Sequence, residues 1–145
     1  MVNETFPVCA PDYFRDRLID LSSLAPSELI HDRTTHCWRA FLEKAGGQDV
    51  NSGFGQIFTQ TSLCLESAAR GDGVAISDEV STRAYLQSGA LIAPFKDRIP
   101  SPDAYYLLQK RTVGTAQDSV AAFRAWVLEK AAKHRIWYSE YWEQK

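Results

Sequence analysis

The sequence predicts an α/β fold, with a Rossmann-like, mostly parallel sheet carrying helices on both faces. Three observations lead there. Short apolar runs alternate with segments of helical period from Leu29 to Ile92. Glycines stand where those helical segments should stop. The chain has 145 residues, 45% hydrophobic and 23% charged, which suits an ordinary globular core. A chain of this size buries roughly 68–70% of its unfolded surface and needs no disulfide or metal to hold together.

Phe6-Pro7-Val8-Cys9 reads as a short extended segment, because Pro7 fixes φ and has no N–H to donate. Pro11 suits a first helical position and opens a short helix to about Arg17. Leu21–Leu24 and Pro26-Ser27 form a turn-rich connection to a strand at Leu29-Ile30-His31. Trp38, Phe41, Leu42 and Ala45 then recur at i, i+3, i+4 and i+7, one face of a helix that Gly46-Gly47 ends. A loop with Gly53 and Gly55 around Phe54 leads to a strand at Gln56–Thr59. Thr61 or Ser62 can cap the next helix, whose stripe is Leu65, Ala68 and Ala69 and whose stop is Gly71. Gly73–Ile76 is a buried strand. Ser77 or Asp78 starts a helix that runs through Val80, Ala84, Tyr85 and Leu86 to Gly89. Leu91–Ala93 and Ala104–Leu108 read as strands flanking a loop with Pro94, Pro100 and Pro102. The last helix covers about Ala116 to Lys133, with Val120, Phe123, Val127 and Ala131 on one face. Lys130, Lys133, His134 and Arg135 suit its negative C-terminal end, and the tail from Ile136 to Trp142 is aromatic.

Lys plus Arg number 16 and Asp plus Glu 18, a net charge of −2, so the chain lacks the basic footprint of a dedicated nucleic-acid binder. No run approaches the ~20 apolar residues of a membrane span. Met1–Thr5 has neither a basic nor an apolar signal region. The three cysteines, Cys9, Cys37 and Cys64, read as small buried hydrophobes in a reducing cytoplasm. His31-Asp32 and His36-Cys37 lack the second ligand pair of a zinc framework, so no metal is expected. No GxSxG, GxxxxGK[ST], HExxH or GxGxxG motif occurs, and His36 beside Cys37 is adjacent in sequence rather than in space. The chain does not read as an enzyme, and no cofactor is implied.

In a parallel sheet with right-handed crossovers, ligands bind outside the C-terminal strand ends. The residues there are His31-Asp32-Arg33, Gln60-Thr61-Ser62 and Ser77-Asp78. Thr61 and Ser62, at a helix N-terminus, suit a carboxylate, and equally suit N-capping. Asp32 and Arg33 either contact a polar ligand or form a solvated loop, and Asp78 reads better as a helix cap.

Taken in order, Phe6–Pro11, Leu24–Leu29, the Trp38–Leu42 helix, Thr61–Ile76, Asp78–Phe95, Ala104–Leu108 and Ala121–Val127 resemble the effector-binding domain of LysR-type transcriptional regulators. Trp38 and Tyr105-Tyr106 resemble most the glycine-cleavage and β-lactamase regulator subgroup. The resemblance implies one lobe of a type II periplasmic-binding-protein-like fold, with the first half of the other lobe missing. It implies a crossover strand over 1–9, lobe two over 10–107, a lobe-one remnant over 108–134 and an aromatic tail over 135–145. It also implies that the winged helix-turn-helix lies before Met1, so that this chain alone does not bind DNA. A small-molecule effector (an amino acid, a carboxylate or a cell-wall fragment) would sit against Gln60, Thr61, Ser62, Asp32, Arg33, Asp78 and Tyr105. Tyr105 and Tyr106 alternate on a strand, so only one can face the cleft, and the resemblance favours Tyr105. The Val120, Phe123 and Val127 face would lack its lobe-one partners, which points to a homodimer or larger assembly. The alternative is a stand-alone half-domain serving protein–protein contact or oligomerisation without small-ligand binding.

Overall fold

The computed structural model describes residues 3–101, 103–109 and 116–145, with the side chains of the last stretch from residue 118. Its backbone divides into two compact units, Val2–Asp103 and a second formed by Ala104–Lys145 with Met1.

The first unit holds one sheet of five strands: β1 (Glu4–Val8), β2 (Leu29–Asp32), β3 (Gln56–Phe58), β4 (Val74–Asp78) and β5 (Ile99–Pro100). Their order is β3-β2-β4-β1-β5. β2 pairs parallel with both β3 and β4, while β1 runs antiparallel to β4 and to β5. Four strands therefore point one way and β1 alone opposes them.

Three helices connect the strands: α1 (His36–Ala45), α2 (Thr61–Ala69) and α3 (Glu79–Ser88). From β2 the chain steps outward through α1 to β3, then crosses back through α2 to β4. Right-handed connections made in opposite directions put α1 and α2 on opposite faces. On the α1 face, Trp38, Phe41 and Leu42 bury themselves with Leu29, Val74, Ile76, Phe14, Leu24 and Phe95. Trp38 meets Phe41 edge-on at 6.0 Å, and its Nε1–H donates to the Ile30 carbonyl at 3.0 Å, so its one polar atom is satisfied. Ile30 and Ala75 alternate to the other face, where α2 lies and supplies buried Cys64, Leu65 and Ala68. Each large side chain buried this way contributes ~1.5–3 kcal/mol.

Several expectations change. No helix forms from Pro11 to Arg17; Tyr13, Arg15 and Arg17 N–H groups bond three residues back, as successive turns. Phe14 is drawn into the core at 6.0 Å from Phe95, and Tyr13 and Arg17 both turn to Glu28. These tertiary contacts override the local helix signal. Leu91–Ala93 contributes only a bridge from Ile92 to Cys9, since Pro94 has no N–H to extend it. The expected loop instead supplies β5; Pro102 of that loop lies outside the described residues. Ala104–Leu108 forms no strand: it has no pairing partner among the described residues, and Tyr106 and Leu108 are exposed.

In the second unit, α4 runs from Ala116 to Glu143, past the expected stop at Lys133. Its tail aromatics lie three and four residues apart and meet along the helix. His134 contacts Trp137 at 5.6 Å and Tyr138 at 6.3 Å; Trp137 meets Tyr141 at 5.7 Å and Tyr138 meets Trp142 at 6.2 Å. These contacts favour the helical form of a segment that spacing alone left as a tail.

Candidate functional site

The C-terminal ends of β2, β3 and β4 lie side by side, and the sheet order reverses at β2. Asp32 is the last residue of β2, and Thr61 is the first of α2. The Thr61 hydroxyl donates to Asp32 Oδ2 at 2.5 Å, and Arg33 Nε donates to Asp32 Oδ1 at 3.2 Å. Each carboxylate oxygen thus has one donor. Arg33 itself is left-handed at φ +61°, and its N–H donates to the Phe58 carbonyl at 2.8 Å. That conformation costs a non-glycine residue ~1–3 kcal/mol, and such strain clusters at ligand clamps.

Neither Thr61 nor Ser62 is the N-cap of α2. Gln60 holds that position, extended at φ −137°, and no side chain caps the helix. The Thr61 hydroxyl is diverted to Asp32, and Gln60 and Ser62 stand exposed beside it. The Leu63 N–H donates to the Gln60 carbonyl at 3.1 Å, which leaves the Thr61 and Ser62 N–H groups, at the positive end of the helix dipole, without a side-chain cap, and the Asp32 carboxylate is held nearby. Asp78 behaves otherwise. Its Oδ1 accepts from the Val80 and Ser81 N–H groups at 2.8 and 2.9 Å, so its carboxylate caps α3. Asp32, Arg33 and Thr61 are in direct contact, Gln60 and Ser62 flank them, and Asp78 ends the neighbouring strand. Tyr105 belongs to the other unit and lies on no strand; it is 46% exposed and Tyr106 80% exposed, so alternation does not choose between them.

Three residues lie beneath the site, and of these Phe58 carries no strong sequence signal. Phe58 offers the carbonyl that fixes Arg33. His31 is fully buried; its Nε2 bonds the Phe54 carbonyl at 2.7 Å, and its Nδ1 finds no hydrogen-bond partner among the described residues. Cys64 donates to the His31 and Gln60 carbonyls at 3.4 and 3.5 Å. Burial, then the Asp32 charge, pushes its thiol up to about 11. Burial and the charges of Asp32 and Asp103 raise Cys37 as well. Both thiols stay protonated at neutral pH, which makes them poor nucleophiles. Cys64 is buried, as expected of a small hydrophobe, while Cys37 is half-buried.

The Thr61–Asp32 pair and the start of α2 thus stand at the C-terminal ends of the parallel strands, where open α/β sheets bind ligands. The sequence profile of the LysR substrate binding domain matches residues 1–132, and the chain belongs to that family. It is 31% identical over 140 residues to the glycine cleavage system transcriptional activator of Escherichia coli K12, covering 95% of this chain and 46% of that protein. A homologue of that activator in Haemophilus influenzae is 25% identical over 111 residues, 77% of this chain and 36% of the relative. The fold matches the effector domain of AmpR from Pseudomonas aeruginosa with a TM-score of 0.65 at 22% identity, over 93% of this chain and 65% of that one. The AmpR effector binding domain of Citrobacter freundii matches at 0.64 and 22% identity, over 88% and 64%. The chain thus spans about half the length of the curated relatives, which are transcriptional regulators.

Proposed function

We propose that this domain senses a small-molecule effector for a LysR-type transcriptional regulator, at the C-terminal ends of β2, β3 and β4. The observation that carries the reading is the Thr61–Asp32 hydrogen bond beside an α2 N-terminus that no side chain caps. Open N–H groups there suit a carboxylate, and Asp32 suits a donor group on the same molecule. Amino acids, small carboxylates and cell-wall fragments are the effector classes to test. Arg33, Gln60 and Ser62 complete the proposed contact set. The domain acts without catalysis, without cofactor or metal and without binding DNA by itself, in the cytoplasm. Among the described residues no helix is long and apolar enough to cross a membrane.

A thermal-shift screen of those three classes tests the proposal, since a ligand bound only by the folded state raises the melting temperature. For a confirmed ligand, Thr61→Ala and Arg33→Gln should each weaken binding about tenfold, or ~1.4 kcal/mol. Unchanged affinity in both variants would sink the site assignment.

A second reading has its own support. Phe123 and Trp126 are 59% and 53% exposed on α4, an apolar surface that fits self-association or a protein partner. No response to any compound, together with capture by the full-length regulator in a pull-down, would favour an interaction module.

A further inference from the structure

At the opposite ends of β2 and β3 from Asp32 and Thr61, a cavity of about 610 Å³ is lined by Pro26, Ser27, Asn51, Phe54, Gly55 and Gln56. We propose that this is a second small-molecule site, one that takes uncharged planar heteroaromatic compounds. Ser27 precedes β2 and Gln56 is the first residue of β3, so the site is separate from the effector edge described above.

It is an open groove: Ser27, Asn51, Phe54, Gly55 and Gln56 are all exposed, with Pro26 half-buried. None of the six lining residues is ionisable. An ionised ligand would find no counter-charge on this lining, whereas a neutral ring gains by covering its apolar surface. Glu28, next to Ser27, is already engaged by Arg17, Tyr13 and the Ala25 N–H. Phe54 is 65% exposed at the cavity, and a flat ring stacked on it removes that apolar area from water. The polar groups are neutral. Asn51 Oδ1 accepts the Gly53 N–H at 3.0 Å, which leaves the amide NH2 to donate, while Ser27 and Gln56 add a hydroxyl and a second amide. Ring nitrogens and carboxamides are complementary to that set.

The wall is built before any ligand arrives. The Phe54 carbonyl is held by buried His31 at 2.7 Å. Gly55 sits at φ +121° against the Leu29 carbonyl, where a Cβ has no room. A loop pinned at two successive residues keeps its backbone in place, which limits the ordering cost on binding.

The test is an amide NMR titration of the whole chain with nicotinamide and, in parallel, with nicotinate, which has the same ring and a negative charge. Nicotinamide should shift the signals of Ser27, Asn51, Gly55 and Gln56 saturably, with nicotinate at least tenfold weaker. Phe54→Ala should remove the response, and Thr61→Ala at the other strand ends should leave it intact. The proposal is overturned if nicotinamide moves none of these signals at millimolar concentration, or if nicotinate matches it. It is also overturned if the same signals shift on dilution without ligand, because the face would then be a contact between copies.

Discussion

Glu28 shows what a single side chain can organise. Its carboxylate accepts from Tyr13 Oη at 2.5 Å, from Arg17 at 2.6 and 3.0 Å, and from the Ala25 N–H at 2.6 Å. The Arg17 guanidinium also lies over the Tyr13 and Phe14 rings at 5.1 and 4.8 Å. Burial by itself would raise the Glu28 carboxyl; the hydrogen bonds from Arg17, Tyr13 and Ala25 outweigh it and hold it at about 2. A depressed carboxyl stabilises the fold above its ordinary value of 4.5, and that contribution is lost as pH falls toward about 2. Glu28→Gln should therefore cost ~1–3 kcal/mol at neutral pH. Urea titrations should also show a flatter fall in stability through that acid window than in the parent. None of this was legible in the sequence. Tyr13 and Arg17 stand 15 and 11 residues from Glu28, beyond any helical spacing, while Pro11 gave a local signal for a helix. Gly55 makes a second case at this scale. Gly55→Ala should cost ~3 kcal/mol or more, because the new methyl meets the Leu29 carbonyl as well as a positive φ. Gly46→Ala, at φ +80° with nothing within 4 Å, should cost only ~1 kcal/mol. Equal losses in thermal denaturation would show that backbone strain, not the carbonyl contact, sets both.

At the scale of elements, α2 and α3 begin differently. Asp78 caps α3, so Asp78→Ala should destabilise by ~1 kcal/mol. Gln60 leaves α2 uncapped. Gln60→Asp should supply the missing cap and stabilise by ~1 kcal/mol, while its carboxylate competes with an anionic effector for the same N–H groups. Higher melting temperature with weaker effector affinity is the expected pair of results; a stabilised variant with undiminished affinity would place the effector elsewhere. The helices themselves were legible, because α1 and α3 carry clear apolar faces and glycine stops. So were β2, β3 and β4, which are short apolar runs between helices. The start of α2 was misplaced by one residue, since Thr61 is a good cap whose hydroxyl is claimed by Asp32, 29 residues away. β5 was missed because its pairing with β1 joins Thr5 to Ile99, a contact without local periodicity. Tyr105 was put on a strand because its run is apolar, but its backbone forms none.

Across the whole molecule, the two units differ in how they are held. In Val2–Asp103, β2 and β4 bury their residues on both faces, and their backbone bonds are shielded on both sides. In α4 most described side chains are exposed, with Phe123 at 59%, Trp126 at 53% and Ile136 at 60%. Ring contacts such as Phe123 on Trp126 at 5.8 Å and Lys130 over Trp126 at 5.7 Å lie three or four residues apart. Such pairs contribute ~0.2–0.5 kcal/mol each, too little to hold a helix against its nucleation cost in water. Local opening should therefore cost far less in α4 than in the sheet. In native-state hydrogen exchange, amides of Ile30, Ala75 and Ile76 should open only with global unfolding. Those of Phe123 to Lys130 should exchange at a small fraction of that free energy in dilute solution. Raising the protein concentration then discriminates further. If the exposed face joins copies of the chain, exchange at Phe123 and Trp126 should slow with concentration by mass action, and Trp126→Ser should abolish the slowing. Protection of α4 equal to that of β4 at every concentration would mean that the helix is stabilised within a single chain. The proposed assembly through its aromatic face would then be wrong.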